Sequence, residues 1–366
     1  MDQFSAIASN NRKQMVYILI LNYNGWKDTI ECLESIFRLD YENYRVIICD
    51  NDSSDGSLDK IQAWAEGRLD VFLQHNNPLR HLSYPPVIKN ISYLKHDREE
   101  GEAGGDEKIT NYPLILIQTG ANLGFAGGNN VGLRYALARD DFEYAWLLNN
   151  DTVVEPNTLN ALIKKADRYK AATGSKVGLI GTKLMFYDQP EVIQGVGGVY
   201  NRLFAVSRHL GVFERDNGQY DFEDVISKTD YPVGASMLAC KEFLEDVGLM
   251  CEDYFLYFEE MDWVLRGNLD GWQFGYCWNA KIFHKEGGTI GSNSKGAHKS
   301  ELADYYSLKN RIVFTNKFYS HSLWSVRLGF IWVLLNRIRR RQFNRVSLVL
   351  KALNLNKLTS EITYER

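Results

Sequence analysis

The chain has 366 residues, of which 45% are apolar and 24% charged, and its net charge is −4. This length suits one large domain with an appendage, or two domains, and the composition is ordinary for a globular protein. The five cysteines are scattered without a CxxC pair, which argues against a disulfide framework and a zinc site. The first residues are polar and lack the apolar core of a signal peptide, so we expect a cytoplasmic protein.

The first part of the chain alternates between strand and helix patterns. A continuous apolar run at residues 16–21 predicts a strand covered on both faces, and it stops at the turn NYNG. A helix follows, with Asp28 or Thr29 as its cap, and a second strand at residues 45–49 ends in DNDSSDGS. Another short helix and a strand near residues 71–73 come next. This alternation predicts an α/β fold with a mostly parallel, doubly wound sheet.

The alternation of strand and helix patterns stops at residues 75–112, which contain three prolines and a polar, glycine-containing run. We interpret them as a partly mobile insertion that bulges from the edge of the sheet. A strand at residues 114–118 resumes the sheet, and the glycine-rich residues 120–130 (GANLGFAGGNN) turn into a helix. Their spacing is neither that of a dinucleotide fold nor that of a P-loop. The glycines would let the backbone approach a ligand closely, or they form a tight turn and nothing more.

An apolar run at residues 144–148 predicts a buried strand that ends abruptly at Asn149, Asn150 and Asp151. Asp151 would then leave the carboxyl edge of the sheet, where open α/β sheets bind ligands. Oxygen ligands at this place suit Mg²⁺ or Mn²⁺, and such a cation suits a diphosphate. The alternative is a capped turn in which Asp151 or Thr152 starts the next helix.

The middle of the chain predicts short strands at residues 177–180 and 183–186, then an antiparallel or irregular segment at 194–230. Residues 233–237 are small and apolar and suit the floor of a pocket. A helix beginning near residue 259 has three carboxylates at its amino end, and its predicted buried stripe comprises Met261, Val264, Leu265 and Leu269. Within it, Asp262 and Arg266 are spaced to form an ion pair, so we interpret Asp262 as structural.

His284 ends another predicted strand, and the glycine- and serine-rich residues 286–296 that follow suit a lid. A lone histidine is usually structural, but this one adjoins both the lid and a suspected metal site. Residues 305–360 contain no acid and form a helical, basic tail. Within it, the apolar run 328–335 and the arginines of 337–341 resemble an interfacial amphipathic segment. The alternative is a packing helix with a solvated basic face.

Six tracts follow one another along the chain: LNYNG at 21–25, DNDSSDGS at 50–57, NLGFAGGNN at 122–130, LLNND at 147–151, FLYFEEMDW at 255–263, and His284. In this order they resemble a family 2 glycosyltransferase of the GT-A fold, nearest to the rhamnosyltransferase-like branch that builds bacterial surface polysaccharides. The resemblance covers roughly residues 16–311. It implies a GT-A domain at 1–300, interrupted by the insertion at about 75–112, and a helical C-terminal extension at 301–366.

The resemblance also implies which residues hold the nucleotide of the donor. These are Leu21, Tyr23, Asp50, Asn51, Asn122, Gly124, Gly128, Asn149 and Asn150. The family often has two acids where this chain has Asp50 and Asn51, which leaves the identity of the base open. Asn149–Asn150–Asp151 occupies the place of the DxD motif with its first acid replaced. Asp151 is thus the implied ligand of Mg²⁺ or Mn²⁺, with His284 completing the shell, and we expect weaker metal binding.

Glu259 and Glu260 fall where the family places its catalytic base, and Glu260 aligns better with the acting residue. Inverting transfer needs a carboxylate that takes the proton of the acceptor hydroxyl. Neighbouring acids and burial raise a carboxyl pKa, whereas a helix amino terminus lowers it, and the sequence leaves the balance open. The remaining implied contacts of the diphosphate or the acceptor are Lys285, Lys309, Arg311 and Trp263.

Taken together, the resemblance implies a metal-dependent, inverting hexosyltransferase that moves a sugar from a nucleotide donor to a glycan or polyprenyl-linked acceptor. We expect a dTDP-linked rhamnosyl donor first and a UDP-sugar second, peripheral contact with the inner face of the cytoplasmic membrane, and no nucleic-acid partner. One alternative is a sugar-phosphate nucleotidyltransferase, although LNYNG replaces its G-x-G-x-R. Another is a catalytically silent, glycan-binding GT-A subunit, which the loss of the first DxD acid suggests. Transfer requires that Asp151, Glu260 and His284 face one cleft.

Overall fold

The computed structural model describes residues 13–106, 112–172, 174, 176–285 and 300–354. The strands in these ranges are β1 (Val16–Asn22), β2 (Tyr44–Asp50), β3 (Tyr93–His96), β4 (Leu114–Gln118), β5 (Tyr144–Asn149), β6 (Thr152–Val154), β7 (Lys176–Phe186), β8 (Gln189–Gly195), β9 (Gly198–Asn201), β10 (Val206–His209), β11 (Ser236–Cys240) and β12 (Trp272–His284). The helices are α1 (Trp26–Ile36), α2 (Ser57–Ala65), α3 (Arg80–Ser83), α4 (Arg98–Glu102), α5 (Gly124–Arg139), α6 (Thr158–Ala171), α7 (Lys241–Val247), α8 (Glu259–Leu269), α9 (Glu301–Phe318), α10 (Leu323–Arg339) and α11 (Phe343–Asn354).

The central sheet has the order β3-β4-β2-β1-β5-β11-β7-β12-β6, and β8 pairs with β7. Strands β3, β4, β2, β1 and β5 are mutually parallel, as are β7 and β12, whereas β11 and β6 run antiparallel to their neighbours. A separate hairpin consists of β9 and β10. The mostly parallel α/β sheet predicted from the alternating pattern is therefore confirmed.

Helices cover both faces of the sheet, which explains the uninterrupted apolar strands. Along β1, Tyr17 and Leu19 point into the core cluster that includes residues of α5 and α8, whereas Ile18 and Ile20 point into the cluster with α1, α2 and α6. Successive strand residues alternate between faces, so a strand buried on both sides needs an apolar residue at every position.

The predicted strand near residues 71–73 is wrong. No strand is assigned there, and the ring of Phe72 is 71% exposed. The edge of β4 is instead occupied by β3, which comes from the predicted insertion and runs parallel to β4. An exposed strand edge is readily paired, and here the insertion supplies the partner. The insertion therefore contributes the edge strand of the sheet, in addition to the segments that lie outside the sheet.

Three local predictions also need correction. The two short strands predicted at 177–180 and 183–186 are one strand, β7. The N-cap position of helix α1 is Gly25, and no side chain caps the helix, so neither Asp28 nor Thr29 is its cap. Thr29 donates its hydroxyl to Asn22 Oδ1 (2.7 Å), and Asp28 accepts from Lys285. In α8, the side chain of Leu269 is 81% exposed, so it does not belong to the buried stripe.

The C-terminal helices pack onto the same side of the sheet as α5 and α8. Leu308 and Phe314 of α9, Phe330 of α10 and Val349 of α11 join the core cluster that contains Tyr17. The division at residue 300 stays a prediction. In the described ranges, no helix is long and apolar enough to cross a membrane. The predicted lid at 286–296 lies outside the described residues.

Candidate active site

A cavity of about 490 Å³ opens beside the carboxyl ends of β1 and β5, and we call it the central cavity. Asp151, His284 and Glu260 all line it, although they are far apart in sequence. The arrangement that transfer requires is therefore present. The other lining residues are Leu21, Tyr23, Asn51, Asn122, Gly124, Phe125, Asn149, Asn150, His209, Val233, Gly234, Ala235, Phe255, Leu256, Tyr257, Glu259, Ser300 and Leu302.

The topology of the sheet explains the position of the cavity. Strand β1 lies between β2 and β5 and is parallel to both, so all three end at the same edge. Asn22 is in register with Asp50, and Leu21 with Asn149. The chain passes from β1 to β2 on one side and reaches β5 on the other, and such a change of direction leaves a crevice at the carboxyl edge.

Asp50 is buried and does not line the cavity. Its carboxylate accepts hydrogen bonds from Asn22 Nδ2 (2.7 Å), from the hydroxyl of Ser53 (2.7 Å) and from Gln118 Nε2 (3.1 Å). These bonds join the ends of β1, β2 and β4. In this structure Asp50 therefore organises the edge of the sheet behind the cavity wall.

Asn51 fastens the glycine-rich turn to the end of β2. Its amide nitrogen donates to Asn122 Oδ1 (3.0 Å) and to the carbonyl of Gly124 (3.2 Å), while its oxygen accepts from the backbone N–H of Leu123 (3.0 Å). A carboxylate at this position could accept but could not donate to the two oxygens. The replacement of the family's acid by Asn51 thus has a local structural reason.

The two glycines predicted to bind the nucleotide allow close packing. Gly124, which lines the cavity, has a φ of +73°, and a Cβ there would collide with the carbonyl of Phe255. A Cβ on Gly128 would collide with the side chain of Leu21. Gly128 does not line the cavity. It affects the shape of the cavity only by leaving room for the side chain of Leu21, which does line it.

Asp151 and His284 form a close pair at the cavity wall. His284 Nε2 lies 3.0 Å from Asp151 Oδ1, and the two side chains are 11% and 8% exposed. Burial opposes ionisation of Asp151, but the charge and hydrogen bond of His284, with Lys285 nearby, lower the pKa of the carboxyl below its usual value. Asp151 is therefore held as an anion facing the cavity.

Gln194, which the sequence analysis missed, orients the imidazole of His284. Its Oε1 lies 2.7 Å from His284 Nδ1, and the glutamine is buried at the end of β8. Since an amide oxygen only accepts, the bond to Gln194 places a proton on Nδ1; the bond from Nε2 to the Asp151 carboxylate requires a second proton there, which a bound cation would replace. These protons are assigned from the hydrogen-bond network. A glutamine in an irregular segment gives no sequence signal for this role.

The donors at this wall suit a hard divalent cation. Asp151 Oδ1 and His284 Nε2 are close enough to be ligands of one ion, and Gln194 orients the imidazole through Nδ1, as the hydrogen-bond partners of metal-binding histidines do. Among the residues that the structure describes, no group of three or more His, Cys, Asp or Glu side chains could hold a metal. Mg²⁺ and Mn²⁺ tolerate a small protein set because substrate phosphates and water fill the remaining positions.

The two neighbouring side chains, Asn149 and Asn150, differ in their contacts. Asn149 Nδ2 lies 3.5 Å from His284 Nε2, at the edge of hydrogen-bond distance. Asn150 donates to the hydroxyl of Thr29 (3.0 Å) and so fixes the first turn of α1 against the end of β5.

Glu259 and Glu260 are the first residues of α8, and both line the central cavity. Glu260 Oε1 lies 3.5 Å from the position that a Cβ on Gly234 would take. Burial raises the pKa of Glu260 to about 7. Burial and the charge of Glu260 raise the pKa of Glu259 well above its usual value, and Glu259 Oε2 is buried without a hydrogen-bond partner among the residues described. Desolvation thus outweighs the helix amino terminus.

The backbone before these glutamates is strained and is held by Asn310 of α9. Phe255, Tyr257 and Phe258 have φ angles of 60°, 70° and 81°, in the left-handed region that costs a bulky residue energy. Asn310, which is fully buried, donates its amide to the carbonyls of Tyr254 (2.7 Å), Leu256 (2.8 Å) and Tyr257 (3.1 Å). Lys309 and Arg311 were the predicted contacts in α9, whereas Asn310, the residue between them, supports the loop that precedes Glu259.

Four residues predicted to contact the diphosphate or the acceptor do not line the cavity. Trp263 is fully buried, packs on Phe243 and donates to the carbonyl of Gly248 (2.8 Å), so the prediction of a substrate contact is wrong: Trp263 belongs to the core. The ammonium of Lys285 lies 2.5 Å from carboxylates of Asp28 and of Glu31.

The two cations of α9 that were predicted to contact the substrate, Lys309 and Arg311, also do not line the cavity. Lys309 Nζ lies over the ring of Tyr306, 5.5 Å from its centroid. Burial lowers the pKa of the Arg311 guanidinium, which the charges of Tyr200 and Asp304 partly offset. In the described part of the chain, the cavity wall therefore contains no lysine or arginine.

Comparisons with known proteins agree with this architecture. Residues 17–80 and 103–217 match glycosyl transferase family 2, and the gap in the match lies within the predicted insertion. The chain is 22% identical over 225 residues to the low-salt glycan biosynthesis hexosyltransferase Agl10 of Haloferax volcanii, covering 61% of this chain and 67% of that protein. It is 26% identical over 241 residues to an N-acetylglucosaminyl-diphospho-decaprenol L-rhamnosyltransferase of Mycobacterium tuberculosis, covering 59% and 76%.

Among solved structures, the mannosyltransferase PcManGT of Pyrobaculum calidifontis, in complex with GDP-Man and Mn²⁺, superposes with a TM-score of 0.51 at 13% identity, covering 96% of this chain and 89% of that chain. This similarity shows the fold, which is the GT-A fold predicted from the motifs. The sequence match includes β1, β2, β5 and Asp151, which build the sheet-edge side of the central cavity. The chain belongs to glycosyl transferase family 2.

Proposed function

We propose that this chain transfers a sugar, with inversion at the anomeric carbon, from a nucleotide-sugar donor to a hydroxyl of a glycan or a lipid-linked acceptor. One observation carries the proposal. An ionised Asp151 paired with His284 shares a cavity of about 490 Å³ with Glu260, whose pKa is raised to about 7. A carboxylate with such a pKa is suited to accept a proton near neutral pH.

In the proposed reaction, Glu260 takes the proton of the acceptor hydroxyl. The acceptor oxygen forms a bond to the anomeric carbon on the face opposite the diphosphate. The bond between that carbon and the diphosphate oxygen breaks, and the nucleoside diphosphate leaves with the bonding electrons. Burial and the charge of Glu260 both disfavour ionisation of Glu259, so in the proposal Glu259 holds its proton and Glu260 is the ionised partner.

The donor would lie along the sheet edge. Leu21, Tyr23 and Asn122 line the cavity where the nucleoside is proposed to bind, and Asn51 holds the adjoining turn. The amide of Asn51 already donates to two oxygens, so it has little hydrogen-bonding capacity left for recognising the base. We propose a rhamnosyl or hexosyl donor, and the activities named for the two relatives support this choice of sugar. The linkage of that sugar to dTDP, or second to UDP, is proposed from the resemblance of the motifs alone.

Asp151 and His284 would hold a Mg²⁺ or Mn²⁺ ion, which supplies positive charge that stabilises the departing diphosphate. The complex of PcManGT with GDP-Man and Mn²⁺ supports this part of the proposal by analogy. Gln194 keeps the imidazole in the orientation that presents Nε2. Replacing Asp151 by Ala should weaken nucleotide-sugar binding with Mn²⁺ and make it insensitive to EDTA. Nucleotide binding that keeps its full response to metal would contradict this assignment.

A panel of dTDP-, UDP- and GDP-sugars, screened by thermal shift with and without Mn²⁺, would identify the donor, since only a bound ligand stabilises the folded state. With that donor, Glu260→Gln should abolish transfer while calorimetry shows unchanged donor binding. Asp253→Asn is the matched control, because Asp253 is exposed and does not line the cavity. Transfer at the normal rate by the Glu260→Gln protein would overturn the role of this residue.

Two other outcomes would replace the proposal. Release of pyrophosphate from a nucleoside triphosphate and a sugar phosphate would identify a nucleotidyltransferase. Asn149 at the place of the first DxD acid favours a catalytically silent, glycan-binding subunit. Glycan binding without transfer or metal-dependent hydrolysis of any nucleotide-sugar in the panel would establish that function instead.

A further inference from the structure

We propose that the outer surface of α10 and the tip of the β9–β10 hairpin form a face that docks on an anionic lipid bilayer. We call this surface the α10 face. It comprises Trp324, Leu328, Ile331, Trp332, Leu335 and Ile338, together with Leu203 and Phe204 of the hairpin. The proposal concerns membrane binding itself and does not depend on the proposed transfer reaction.

The outward side of α10 is apolar where a surface helix is usually polar. Trp324, Leu328, Ile331, Leu335 and Ile338 are spaced alternately by four and three residues, which places them on one stripe of the helix. Their exposed fractions range from 49% to 65%, and that of the neighbouring Trp332 is 69%. The inward side is apolar as well, since Val326 and Phe330 are 1% exposed. The helix thus packs on the domain by one side and leaves a second apolar side open.

The hairpin tip continues this apolar surface. Leu203 and Phe204 are 55% and 51% exposed. The hydroxyl of Ser325 donates to the carbonyl of Leu203 (2.6 Å), and a Cβ on Gly329 would lie 3.7 Å from Phe204. Two separate elements therefore contribute exposed aromatic and aliphatic side chains to one face. Contiguous apolar surface of this kind marks an interaction site more often than scattered residues do.

Positively charged side chains border the α10 face, and their charge indicates the kind of partner that binds there. Arg327, Arg339, Arg340 and Arg341 are exposed and, in the ranges that the structure describes, form no ion pair with a carboxylate. By contrast, Arg337 is turned inward to Asp304 (2.7 Å). Aromatic and aliphatic residues bordered by cations are typical of helices that lie in the interface of anionic membranes.

The alternative occupant, a second copy of this chain, fits the charges less well. A symmetric contact would bring two copies of the same face together, and therefore the same arginines toward each other. Residues 305–360 contain no aspartate or glutamate that could offset this repulsion. Acidic lipid headgroups supply the missing negative charge, and lipid chains can accept the apolar stripe. The observations therefore favour a bilayer.

The hairpin also links this face to the central cavity. Strand β10 begins at Val206, which is 39% exposed beside the hairpin tip, and ends at His209, which lines the cavity. Three residue steps in a strand span about 10 Å. If the proposed function is correct, docking would place the cavity close to the headgroup layer, where a lipid-linked acceptor presents its hydroxyl.

Flotation of the full chain with vesicles tests the proposal. We expect binding to phosphatidylcholine vesicles that contain about one-third phosphatidylglycerol, and about tenfold weaker binding to pure phosphatidylcholine or at high salt. The double variant Trp324→Ser/Trp332→Ser should lose about tenfold in partitioning because the anchoring rings are removed. Arg339→Gln/Arg340→Gln/Arg341→Gln should lose specifically the preference for acidic lipid.

The control is Phe72→Ser/Leu269→Ser, which removes two side chains that are 71% and 81% exposed elsewhere on the molecule. It should bind vesicles like the unaltered chain. Equal vesicle binding by the control and the tryptophan variant, or no binding by the unaltered chain, would overturn the proposal. A concentration-dependent dimer in light scattering that the tryptophan variant abolishes, without vesicle binding, would assign the face to self-association instead.

Discussion

The pH dependence of transfer provides a sharp test of the site, because the two adjacent glutamates are predicted to behave differently. Burial raises the pKa of Glu260 to about 7 from an ordinary 4.5. The ionised form is the base, so activity should fall as pH decreases through 7. With that pKa, about one-tenth of Glu260 is ionised at pH 6 and about nine-tenths at pH 8. We therefore expect kcat/KM for the acceptor to rise about tenfold over this interval, whereas an unperturbed carboxyl would give a flat profile.

Two isosteric variants identify which carboxyl gives this profile. Burial and the charge of Glu260 disfavour ionisation of Glu259, so in Glu259→Gln the midpoint near pH 7 should persist with most of the activity. Glu260→Gln should lose about a thousandfold in kcat at every pH, a typical effect of removing a general base. The assay is the initial rate of nucleoside diphosphate release at saturating donor and metal, from pH 5.5 to about 8.5. A flat profile for the unaltered chain, or loss of the midpoint in Glu259→Gln alone, would refute the assignment of Glu260.

Three further predictions concern residues around the cavity. Asn310→Ala removes three hydrogen bonds to buried carbonyls, so the free energy of unfolding measured with urea should fall by about 3 kcal/mol; an unchanged midpoint would contradict the support we assign to Asn310. Gln194→Leu removes the partner of His284 Nδ1, so calorimetry should show Mn²⁺ binding about 10- to 100-fold weaker in the presence of nucleoside diphosphate, and equal affinity would show that the contact is dispensable. Asp151→Asn keeps the shape of the side chain but removes its charge, so paramagnetic resonance should detect less bound Mn²⁺, with full occupancy as the contrary result.

The strands that build the cavity were readable from local patterns. Each of β1, β2, β4 and β5 contains an uninterrupted apolar run that stops at a polar last residue, because helices cover both faces of the sheet. Asp151 comes directly after the end of such a run, and this predicts its place at the carboxyl edge of the sheet. An apolar run did not predict a strand correctly where its side chains are exposed. The apolar residues 71–73 predicted a strand, but their exposed position left the edge of β4 to β3.

Contacts between distant segments could not be predicted, because no local pattern records them. Gln194 and Asn310 are ordinary amides in sequence, and only folding directs one to His284 and the other to the loop before Glu260. Trp263 shows the converse: its neighbourhood in a motif suggested a substrate contact, whereas the turn of α8 points it into the core.

The sequence by itself determined the chemistry that is available: the alternation that makes a parallel sheet, the carboxylates and histidine at the ends of its elements, and the basic C-terminal helices. The tertiary structure decided which of these groups meet. It joined Asp151, His284 and Glu260 in one cavity, and its desolvation set the pKa of Glu260 near neutrality. It also left one side of α10 uncovered. Proximity and burial depend on long-range packing. The sequence therefore identifies which reactive side chains are available, but not how they are arranged.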